Sequence, residues 1–82
     1  MKIYKCSWLQ EDGTIFNLGE RETNNPKMFL FDKICGLIAT SANIFPADNK
    51  PENIYKWIQT GKTAREHYFA IIGEQSISVI EV

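Results

Sequence analysis

Asn25-Pro26-Lys27-Met28-Phe29-Leu30-Phe31-Asp32-Lys33-Ile34-Cys35-Gly36-Leu37-Ile38 is the stretch whose reading decides the architecture. Read as a helix, it makes the chain α+β. The rival reading is a short strand over Met28–Phe31, because four apolar residues in a row have no period of their own. The flanks favour the helix. Asn25 can accept from the free N–H groups of a first turn, and Pro26 is pre-shaped for the first helical position. Phe31, Ile34, Cys35, Ile38 and Ala42 then recur at helical spacing and form an apolar stripe. On that wheel Phe29 falls on the polar side with Lys33, Gly36 and Thr40, which makes it an exposed aromatic and a candidate partner anchor.

Toward the N-terminus, residues 2–9 alternate, with Tyr4, Cys6 and Trp8 on one face and Lys5 and Ser7 on the other. Gln10-Glu11-Asp12-Gly13 is a turn, since Asp-Gly favours positive φ. Residues 14–18 return as a second strand with Phe16 and Leu18 on one side, and the polar stretch Gly19 to Asn25 reads as a loop. Toward the C-terminus, Ser41 to Lys50 is a loop containing Phe45-Pro46. Asp48 or Asn49 could cap a second helix, which has Pro51 near its start, Ile54, Tyr55 and Ile58 facing inward, and Gly61 as its C-cap. Trp57 sits at the margin of that helix's stripe, where it either closes the core edge or anchors a partner. Residues 62–66 connect to two strands, 67–72 and 76–82, around Gly73-Glu74-Gln75. The expected fold is one α+β domain over residues 1–82. It is a small antiparallel sheet of two hairpins in the order β-β-α-α-β-β, with two helices packed on one face.

Composition narrows the function classes. The chain has 82 residues, 44% of them hydrophobic and 23% charged, which is ordinary for a globular domain and unlike a disordered one. At this length the core is thin, so help from a homodimer or a bound target is in keeping. The net charge of −1, from 9 basic and 10 acidic residues, lacks the basic excess on which nucleic-acid binders depend. No run of roughly 18 apolar residues spans a membrane. Two cysteines, Cys6 and Cys35, make no disulfide framework, and the expectation is a free-standing cytoplasmic protein with reduced thiols.

Chemistry finds few candidates. Gly61-Lys62-Thr63 resembles the tail of a phosphate-binding loop, but Lys56 stands where that loop needs its first glycine. His67 is the only histidine; Cys6 lies among inward-facing strand residues and Cys35 in a helical apolar stripe, where thiols are ordinary core residues. One histidine and two distant cysteines fall short of a metal site, and no cofactor motif occurs. Glu11, Asp12, Glu20 and Glu22 fall on the first turn and the following loop, where wet carboxylates do no acid–base work without burial.

The expectation is therefore a non-enzymatic binding protein that inhibits or regulates a larger protein partner. Phe29 and Trp57 are its candidate anchors, and Glu11, Asp12, Glu20 and Glu22 its candidate acidic rim. Size and makeup narrow this to a phage- or mobile-element-encoded inhibitor of a host defence system, in the manner of anti-CRISPR proteins. The alternatives are an antitoxin or immunity protein, or a small nucleic-acid-binding module. The last of these is checked directly by the charge argument. Gel-shift titration with DNA and RNA at physiological salt is expected to show no band shift at low micromolar protein, and a salt-sensitive shift in that range would restore the nucleic-acid class.

Overall fold

The computed structural model describes residues 1–40, 45–61 and 64–82. Its elements are β1 (Lys2–Leu9), β2 (Ile15–Thr23), α1 (Pro26–Thr40), α2 (Pro51–Trp57), β3 (Ile58–Thr60), β4 (His67–Ile72) and β5 (Gln75–Glu81). The strands form one antiparallel sheet in the order β2-β1-β5-β4-β3. The α+β class, the helices on one face and both hairpins agree with the sequence reading. The sheet has five strands where two hairpins supply four.

Each turn follows from its residues. Gln10 and Thr14 close the first hairpin, with Gln10 N–H donating to the Thr14 carbonyl at 2.8 Å and Gly13 N–H to the Gln10 carbonyl at 2.9 Å. Gly13 takes φ 90°, as a three-residue turn requires. In the second hairpin Ile72 pairs with Gln75 across Gly73-Glu74, and Gly73 at φ 64° supplies the positive-φ first position of a two-residue turn.

Four boundaries differ from the sequence reading. First, the polar stretch after Leu18 is not a loop up to Asn25: β2 continues to Thr23 through a register shift opposite Cys6 and Ser7. Gly19, at φ 99°, absorbs this irregularity, and Asn17 Oδ1 accepts its N–H at 2.9 Å. The strand is polar because it is an edge, where charges and bulges discourage further pairing. Second, α2 stops at Trp57, and Ile58 begins β3 opposite Ala70. Third, Gly61 is therefore not a helix C-cap; it follows β3, donates to the His67 carbonyl at 2.9 Å, and lies so close under the His67 ring that a Cβ would collide with it. Fourth, neither Asp48 nor Asn49 caps α2: its N-cap is Lys50, without a side-chain bond, and Pro51 opens the helix. Ala42, Lys62 and Thr63 lie outside the described residues.

The first helix is capped as its sequence implies: Asn25 Oδ1 accepts the Met28 N–H at 3.2 Å. Its buried line, however, is Pro26, Phe29, Leu30 and Ile34, while Phe31, Cys35 and Ile38 are partly buried along its margin. The buried line is rotated from the stripe centred on Phe31, and Phe29, expected on the surface, is 1% exposed. Tyr55, expected inside, is 42% exposed and instead stacks on Phe31 with ring centroids 4.4 Å apart, tying α2 to α1.

Tyr4, Cys6, Trp8, Ala70, Ile77 and Val79 project from one side of the sheet and pack with Phe29, Leu30, Ile34, Phe45 and Ile54 into a single core. A buried side-chain hydrogen bond lies inside it. Trp8 Nε1 donates to Gln75 Oε1 at 2.8 Å, joining β1 to the start of β5. Replacing Gln75 by Leu keeps the bulk and strands the indole N–H. A loss of about 1–3 kcal/mol is expected for a buried donor left without a partner, read as a lower urea midpoint at unchanged slope. An unchanged midpoint would show that this bond contributes nothing.

Candidate functional site

The residues singled out in the sequence do not converge. Glu11 and Asp12 lie on the exposed first turn, beside a cleft of about 760 Å3 that Ile72, Gly73, Glu74 and Gln75 close from the other hairpin. Hydrogen bonds from the Thr14 side chain and backbone lower the Asp12 carboxyl below its ordinary value. Glu20 and Glu22 sit far along β2, opposite Lys5 and Ile3. The four carboxylates are thus two separate pairs, one at a turn and one on an edge strand. Phe29 is no surface anchor: it lies in the core beneath the Arg21 guanidinium, 4.6 Å from its ring, and Arg21 in turn pairs with Asp32 at 3.0 Å. Trp57 is half-buried at the end of α2 and packs against the core.

The residues with chemical potential are also kept apart. Cys6 points to the helix side of the sheet, and His67, by its register opposite Ile80, points to the other side. Burial pushes the Cys6 thiol up to about 11, and burial also raises Cys35, so neither thiol is activated. Among the described residues no three His, Cys, Asp or Glu side chains gather in metal-binding geometry.

One polar cluster escaped the sequence reading. Glu66, just before β4, accepts from Tyr68 Oη at 2.6 Å, from Tyr4 Oη at 2.7 Å and from Lys2 Nζ at 3.3 Å, while Lys2 also reaches Glu81 at 3.6 Å. These donors, Tyr68 foremost, hold the Glu66 carboxyl down at about 2. Burial and the bond to Glu66 raise Tyr4 far above the ordinary phenol range. Every group in the cluster is engaged by another, so its role is to fasten β1, β4 and β5 together at one end of the sheet.

What remains is the sheet's second face. The register places Ile3, Lys5, Ser7 and Leu9 of β1 there, with Ser76, Ser78 and Ile80 of β5, His67, Phe69 and Ile71 of β4, Gln59 of β3, and Ile15, Asn17, Glu20 and Glu22 of β2. Among the described residues no element covers it. Antiparallel sheets with one wet face ordinarily alternate apolar-in and polar-out. Here Ile15 is 68% exposed, Ile71 60%, Ile3 44% and Leu9 42%, with Phe69 and Ile80 between them. The signal was present in the unbroken run Tyr68-Phe69-Ala70-Ile71-Ile72, which has the composition of a strand covered on both sides.

Comparison with protein-family models, with curated proteins and with solved structures finds no match to this chain. The surface itself is therefore the guide to function.

The Glu66 cluster makes a pH prediction. A carboxyl whose value is lower in the fold than in the unfolded chain, where it is about 4.3, stabilises the fold above that pH. The contribution is lost as pH falls through the folded value of about 2. Acid titration of stability is expected to show a fall between those limits that Glu66→Gln flattens. Equal acid dependence in the two proteins would remove Glu66 from this role.

Proposed function

We propose that this protein is a non-enzymatic binding module that acts on a larger protein partner through the helix-free face of its sheet. The observation that carries the reading is the set of exposed aliphatic side chains at both ends of this face, Ile15, Leu9 and Ile71 at one and Ile3 and Ile80 at the other, where solvent would ordinarily keep a sheet polar. The proposed partner surface is apolar where it meets Leu9, Ile15 and Ile71 and basic where it meets Glu20 and Glu22 on the β2 side. Those two carboxylates keep the rim role expected of them, while Glu11 and Asp12 stand off at the first turn. Phe69 replaces Phe29 as the aromatic anchor, and Trp57 stays with the core edge.

The narrower idea of an inhibitor of a host defence system rests on chain size and makeup, and the geometry adds nothing to it. The two cysteines are free, in keeping with the cytoplasm as the proposed compartment. No helix among the described residues is long and apolar enough to cross a membrane.

The test is affinity capture from the native host with wild type and with Ile71→Lys, followed by kinetics on the purified pair. Ile71 is exposed, so the variant is expected to fold and to bind more than tenfold more weakly. Glu20→Lys is expected mainly to slow association, with an effect that shrinks in high salt. A folded Ile71→Lys with wild-type affinity would move the interface off this face.

A further inference from the structure

We infer that the helix-free face is self-complementary and that a second copy of this chain occupies it, giving a four-layer α-β-β-α homodimer. The inference rests on the docking face proposed above and names what covers that face while the larger partner is absent; the two occupants exclude each other. β5 is the central strand of the sheet. A two-fold axis lying between two facing sheets and parallel to β5 sets β5 over its own copy, β1 over β4, and β2 over β3. Residues then meet at the same level along the strands.

The register shows what such an arrangement brings together. Ser7, Ser78 and Phe69 lie on one level. Phe69 of each copy therefore lands over Ser7 of the other, a large side chain over a small one, and Ser78 lies over Ser78. One level toward the turns, Leu9, Ser76 and Ile71 are aligned, so Leu9 meets Ile71 and Ser76 meets Ser76. One level toward the termini, Ile80 meets Ile80. The serines of the central strand let the sheets approach to the roughly 10 Å of face-to-face packing, while the aliphatic residues at either end fill the space between them.

The charges stay outside. β3 has only 3 residues and β2 has 9, so β2 overhangs the opposite edge. Asn17 meets Gln59, while Glu20 and Glu22 project past it into water. Lys5 lies over His67, with a stem long enough to carry its ammonium to the rim.

The area fits a weak dimer. β5 covers its own 7 residues, β1 covers the 6 of β4, and β2 covers the 3 of β3, so at about 3.4 Å per residue and about 4.8 Å between strands the overlap is on the order of 400 Å2 in plan. The accessible surface of such a corrugated face is larger than its plan but stays under the roughly 800 Å2 per partner of a standard interface, which makes the association concentration-dependent.

Sedimentation equilibrium of the full chain, from low micromolar to millimolar concentration, tests this. The expected result is a reversible shift from 9.4 kDa to twice that mass. Ser78→Arg, at the centre of the face, and Leu9→Lys, at its end, are each expected to remain monomeric with wild-type circular dichroism. Lys56→Glu, on the exposed side of α2, is expected to dimerise normally. Wild type that stays monomeric throughout overturns the inference, as does a dimer that survives both face substitutions. In either event, a captured partner still lost on Ile71→Lys leaves the docking face standing and removes only the second copy from it. If Ile71→Lys changes neither mass nor capture, both readings fail together.

Discussion

A five-stranded antiparallel sheet has two faces, and a chain of 82 residues supplies helices for one. The other properties of the molecule depend on that limit. Among the described residues, all of the large, fully buried side chains lie on or under the helix side: Tyr4, Cys6, Ile77 and Val79 from the sheet, and Phe29, Leu30 and Ile34 from α1. Burial of an apolar side chain contributes roughly 1.5–3 kcal/mol relative to exposure, so the aliphatic residues of the second face hold unused stabilisation until something covers them. The sheet is covered on one side only, and the proposed docking would draw on the stabilisation left on the other.

Much of this architecture was legible in the residues. The two hairpins were fixed by local chemistry, Asp12-Gly13 in one and Gly73 in the other, where only a few backbone conformations fit. The Asn25-Pro26 cap placed α1 correctly for the same reason. Failure came where the deciding information was distant. Residues 19–23 look like a loop, and become strand only because β1 offers a partner and the edge position favours charge. Ile58 continues the helical pattern of α2, yet pairs with Ala70 instead. Phe29 reads as exposed on a wheel that assumes Phe31 faces the core. Arg21, from another element, lies over the Phe29 ring and seals it.

The candidate site was the least legible feature, again for a physical reason. Sequence inspection weighs titratable and nucleophilic side chains, and these are the groups that this fold separates or satisfies. Cys6 and His67 are on opposite faces of the sheet, and Glu66 is saturated by Tyr4, Tyr68 and Lys2. The surface left to act is aliphatic. Its marker in the sequence was a failure of alternation in β4, which becomes informative only when the helices are known to lie on one side.

The central pairing joins the two extremes of the chain. Lys5 lies opposite Ile80, and Trp8 opposite Ile77. During synthesis the N-terminal hairpin and α1 emerge from the ribosome long before the strand that must separate β1 from β4. Until β5 arrives, Tyr4, Cys6 and Trp8 have no neighbour along that edge, and the indole N–H waits for Gln75. Closing so long a loop is slow compared with local pairing, and the β1 edge lacks its neighbour until β5 has been made. The interval in which that edge lies open is thus set by the place of β5 in the sheet.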